Sequence, residues 1–109
     1  MDEAQRMEIE GLLQMGVEDL FVRLGKETAG RQAAPMSEPE AAALGKGWLR
    51  HKRPVICEKL SHYSSNIDLV LAATAIADGV GTKGLATATA LVLKIGVERF
   101  CSGTWADQG

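Results

Sequence analysis

His51, Cys57, His62 and Cys101 are the soft ligands and nucleophiles of this chain, and their spacing decides what chemistry they could share. His51 and Cys57 stand six residues apart, and Cys57 and His62 five. Neither interval matches a zinc finger or two histidines one helical turn apart, and a tetrahedral site would need Cys101 carried in from across the fold. The simpler expectation makes the cysteines small core residues and leaves the histidines at a polar edge. A Cys–His nucleophile pair, or Ser64 or Ser65 with His62, would need an acid to orient the imidazole, and none stands at a helpful interval. Neighbouring residues on a helix also face different ways. No convergent acid–base set, metal site, cofactor or small-molecule substrate follows, so the chain reads as a non-enzyme.

A second kind of chemistry lies in Lys46, Trp48, Arg50, Lys52 and Arg53, with His51 among them. Four cations within eight residues could hold phosphates, and the indole could stack on a base. The same residues also suit a solvated helix end, with Trp48 turned to the core. A third reading sends the basic segment to an acidic protein surface: the amino-terminal helix of this chain or a neighbour's. The formal net charge of −2 weighs against nucleic acid as the main partner.

Gly79-Val80-Gly81-Thr82-Lys83-Gly84 invites comparison with a phosphate loop. The lysine follows the threonine, the glycine spacing is wrong, and the preceding segment reads as helix rather than strand. A turn between two helices, with glycines supplying positive φ, accounts for it better.

The elements that must position these groups are helical. The chain has 109 residues, 46 % hydrophobic and 24 % charged, which suits one globular domain with a modest core. Apolar positions recur at intervals of three and four, and no alternating strand pattern appears. The expected class is all-α, a bundle of five or six helices in a single domain over 1–109.

Residues 1–25 carry acidic helices: Asp2, Glu3, Glu8, Glu10, Glu18 and Asp19 oppose Arg6 alone. A break is expected near Gly16, with Glu18 and Asp19 in the first turn of a second helix and Gly25 at its carboxyl end. Residues 26–36 lack periodicity and read as a connector. Ser37-Glu38-Pro39-Glu40 is the clearest helix start, and it opens a basic helix over 37–53 that Pro54 should end.

Residues 54–101 form the expected core region, with a helical hairpin of two apolar segments, Ile67–Ala77 and Gly84–Phe100, at its centre. A break at Ser64-Ser65-Asn66 is favoured, since Ser65 and Asp68 have capping-box spacing. Thr82 should cap the last helix. Lys83, Thr87, Lys94 and Glu98 should line its polar stripe, and Trp105 should fold back onto it. Seven alanines between positions 72 and 90 let the two backbones approach closely. The helices outside the hairpin supply barely enough apolar side chains to cover it. Ala72, Ala75, Ala88 and Ala90 are therefore candidates for a contact with a partner or a second copy.

The longest uncharged runs are nine residues, Leu69–Ala77, and ten, Gly84–Leu93, well short of the roughly 20 that span a bilayer. Two widely spaced cysteines and an acidic amino terminus without an apolar run point to reduced thiols and a cytoplasmic location. The expected function is a non-catalytic protein–protein interaction module, a small subunit or adaptor docking through its carboxyl-terminal hairpin. A nucleic-acid-binding accessory subunit using residues 46–53 is the alternative. A membrane-associated helical protein is a further one, disfavoured by the charges at Asp68, Asp78, Lys83 and Lys94.

Overall fold

The computed structural model describes residues 3–29, 37–61, 68–81 and 83–103. Among them are six helices and no strand: α1 (Glu3–Leu12), α2 (Val17–Ala29), α3 (Glu38–Leu60), α4 (Leu69–Val80), α5 (Leu85–Ile95) and α6 (Val97–Ser102). The chain is a small all-α bundle. Expectations resting on His62, Ser64, Ser65, Thr82 and Trp105, and on residues 30–36 of the connector, lie outside the described residues.

The first helix ends in a turn before Gly16, and Glu18 and Asp19 stand in the first turn of α2, where the helix dipole favours acids. Gly25 does not end α2, which runs on to Ala29. Its role is contact. A Cβ built there would lie 1.8 Å from the Ala41 carbonyl oxygen, and one built on Gly45 would lie 2.3 Å from that of Phe21. Glycine at both positions lets the backbones of α2 and α3 meet, around buried Leu20, Phe21 and Leu24.

Ser37 starts α3: its Oγ accepts from the Glu40 amide at 3.3 Å and donates to Glu40 Oε1 at 3.0 Å. Pro54 does not end the helix, which continues for six more residues to Leu60. An internal proline costs about 3 kcal/mol. Continuing the helix buries Ile56 and Leu60 on the line begun by Leu49, and each such side chain returns about 1.5–3 kcal/mol. Pro54 itself stays exposed.

α3 ends at Leu60 and α4 opens at a cap on Asp68, whose Oδ1 accepts from the Leu71 amide at 2.9 Å. The glycine turn behaves as expected at two positions, Gly81 (φ +82°) and Gly84 (φ +69°), while Gly79 belongs to α4. Gly84 occupies the N-cap of α5 without a side-chain cap bond. The last apolar segment is not one helix. Gly96, at φ +96°, ends α5 and opens α6, and the change of direction brings α6 against α3 as well as α5.

At the centre lies α5, in contact with α1, α2, α4 and α6. Its six consecutive residues Thr87–Val92 are all buried. The expected polar stripe therefore fails at Thr87, which is enclosed and takes a bond from Arg23. The flanking helix α4 buries Ala72, Ala73, Ala75 and Ile76 and leaves Val70 exposed. No described helix is long and apolar enough to cross a membrane.

Candidate functional site

The four alanines expected at a partner contact are interior. Ala72, Ala75, Ala88 and Ala90 are at most 2 % exposed, so none offers a surface while the fold is intact. The cover comes from the chain itself. Phe100, carried back by the bend at Gly96, is fully buried, and α1 and α2 close the other sides of α5.

The basic segment is divided among three directions. Lys46 approaches Glu18 at 4.0 Å and lies over the Phe21 ring, 5.4 Å from its centroid, which ties α3 to the acidic start of α2. Arg53 Nη1 donates to the Cys101 carbonyl at 2.7 Å. Trp48 packs half-buried against the core. Arg50 is exposed and Lys52 half-buried, and among the described residues neither makes an ion pair. The four cations expected to hold phosphates and the indole expected to stack on a base do not form one surface.

What does form a line is a set the reading of charge alone passes over. Leu44, Trp48, Lys52 and Val55 follow one another at intervals of four, four and three along α3, so they share a face. Leu44 is 44 % and Val55 39 % exposed, which makes them two of the large apolar side chains most open to water. Met7 of α1 is the most open, at 63 %, between exposed Glu3 and Glu10. The helix carrying it packs on α5 and α4. The signal for both lines was in the sequence, since Leu44 and Met7 continue apolar series only if their helices are buried all round.

A polar hub joins α1, α2 and α5. Arg23 reaches Glu8 at 3.6 Å, Glu27 at 3.0 Å and Thr87 Oγ1 at 3.3 Å. Beside it an open groove of about 500 Å³ is lined by Met15, Val22, Asp19, Lys26 and Glu38 along with the hub. Acids and bases alternate around it, so it presents no single sign of charge to a ligand. Glu27 Oε1 is buried without a partner among the described residues, and a Cβ built on Gly84 would lie 3.9 Å from it. A carboxylate thus occupies the neighbourhood of the α5 amino terminus, where a phosphate would have to sit, and it repels one.

The cysteines overturn the expectation of two separate reduced thiols. Cys57 of α3 and Cys101 of α6 form a disulfide across 44 residues, and no free cysteine remains. Both are half-buried. The pairing depends on the Gly96 bend, which turns α6 onto α3. Among the described residues no group of three or more His, Cys, Asp or Glu side chains is placed to hold a metal. Compared with protein families, with curated proteins and with solved structures, the chain matches none.

Proposed function

We propose that this chain is a non-catalytic protein–protein interaction module whose contact is the outer face of α3 rather than the alanine-rich helices. The observation that supports the reading is the line Leu44, Trp48, Lys52 and Val55, in which Leu44 and Val55 are open to water and Trp48 and Lys52 are half-buried between them. A partner that fits it offers an apolar side chain flanked by acids. The outer face of α1 offers Met7 beside Glu3 and Glu10, of which Glu10 is already paired with Arg6 at 3.2 Å and Glu3 makes no ion pair among the described residues. In one protomer that helix lies against α5 and α4, so the partner is a second copy, α1 of one chain against α3 of the next.

Light scattering across protein concentration and ionic strength tests this. A mass above the 11.6 kDa monomer is expected, reduced to the monomer by Leu44→Asp and by Met7→Lys. A single-chain mass at every concentration would overturn self-association. Nucleic acid as the partner would rest on the basic segment 46–53, with Arg50 its most exposed cation. Its test is binding to duplex and single strands at low salt, with a steep loss as salt rises if it holds. For the location, the Cys57–Cys101 disulfide favours an oxidising compartment over the cytoplasm.

A further inference from the structure

We propose that the Cys57–Cys101 disulfide is an exchange site for a dithiol reductant, with Arg53 as its positioning residue, and that opening it frees α6 from the bundle. Three observations converge on this bond. Neither cysteine is enclosed, and α6 leaves Glu98, Arg99 and Ser102 exposed around Cys101, so a small thiol has a route to the sulfurs. Arg53 stands one helical turn before Cys57 on α3, and its guanidinium bonds the Cys101 carbonyl at 2.7 Å, which places one cation beside both bonded residues. Finally, α6 is six residues long and fully buries Phe100 alone, and a helix so short has little stability of its own.

The chemistry balances with the dithiol alone. One of its thiolates attacks a sulfur of the pair, forming a mixed disulfide. The Cys57–Cys101 bond breaks, and the other cysteine leaves as thiolate. The dithiol's second thiolate then attacks the mixed disulfide and closes its own ring. Two electrons pass to the protein, and the two protons lost by the dithiol end on Cys57 and Cys101. A cation held beside the pair, here at the Cys101 carbonyl, stabilises the departing thiolate, and a better leaving thiolate departs faster. Glu98, one turn before Cys101, and Glu58, next to Cys57, oppose this. Both carboxylates are exposed and solvated, whereas the guanidinium is half-buried and bonded in place.

The test treats the oxidised full-length chain with dithiothreitol under native conditions, traps thiols with iodoacetamide, counts them by mass, and follows hydrogen exchange over 97–102. The native protein should open while α2 and α5 keep their protection, and the α6 amides should then exchange at least about tenfold faster. Arg53→Gln should open about three- to tenfold more slowly, and Arg53→Lys should recover part of the rate. Added salt should narrow the gap between native and Arg53→Gln chains, which a merely structural arginine would not produce. Thiols that appear only as the whole chain unfolds, or an α6 still protected once both are free, would overturn the proposal. So would equal opening rates in native and Arg53→Gln chains. Should Arg53→Gln fail to fold, the native protein and Arg53→Lys carry the same test.

Discussion

The two halves of α3 hold their neighbours by opposite means. At its amino-terminal half α3 meets α2 through Gly25 and Gly45, where a backbone carbonyl stands in the place of each missing side chain. At its carboxyl-terminal half it meets α6 through a covalent bond and one arginine. The difference follows from what each partner can bury. With 13 residues, α2 hides Leu20, Phe21 and Leu24, enough apolar surface to hold two helices by packing alone. The six-residue α6 hides Phe100, and a helix so short has little stability of its own. Close packing serves where there is area, and a crosslink where there is not.

Gly25→Ala should break the first half most severely. Its methyl would stand 1.8 Å from the Ala41 carbonyl oxygen, on backbone that cannot turn away. The two helices must separate, at a cost of about 4 kcal/mol or more, above the usual range for an overfilled core. Urea denaturation measures it, and a loss under about 1 kcal/mol would mean the seam is looser than its geometry. Reduction of Cys57–Cys101 breaks the second half. Loop-closure entropy over a separation of 44 residues sets the expected loss at about 2–4 kcal/mol. Identical melting temperatures with and without reductant would show that packing suffices there too.

Ala88→Leu or Ala90→Leu asks whether the alanine-rich core is as tight as the glycine seam. Both positions are fully buried within the chain, so the expected loss is about 1–3 kcal/mol. The solution mass should be unchanged apart from unfolding, since neither residue reaches a partner. The smallest effect has the opposite sign. Gly47 lies two residues from Gly45 in the same helix, but a Cβ there meets nothing within 4 Å. Gly47→Ala should therefore stabilise the chain by about 0.5–1 kcal/mol through helix propensity. Calorimetry of Gly45→Ala and Gly47→Ala side by side would show one falling and one rising. Two losses would mean that Gly47 has a contact the fold does not reveal.

These contrasts mark how far the sequence was legible. Helical periodicity, the acids at Glu18 and Asp19, the Ser37 cap and the turn at Gly81 and Gly84 are local features, and reading them needs only a few neighbouring residues. Gly25 looked like a helix end because that is where helices commonly place glycine. Only the approach of Ala41 shows it to be a contact. Pro54 looked like a terminator, and the burial of Ile56 and Leu60 beyond it overrode the lost bond. The long apolar run to Phe100 hid a bend at Gly96, and with it the means by which the core covers itself. The candidate surface suffered most. The alanines look short of cover as long as α6 is read as part of the rod to be covered, whereas its buried Phe100 is part of the cover. Basic residues close in sequence suggest one patch, although Lys46 is turned to Glu18 and Phe21, Arg53 to the Cys101 carbonyl, and Arg50 to water.

By itself the sequence determined that the chain is helical and where most of its helices start, because hydrogen bonding and side-chain periodicity within a helix act over about four residues. Tertiary structure alone decided which small residues are seams, which apolar side chains stay in water, and that Cys57 meets Cys101 with Cα atoms 5.7 Å apart. Those outcomes depend on how whole helices cross, and a crossing is set by the summed burial of many side chains far apart along the chain.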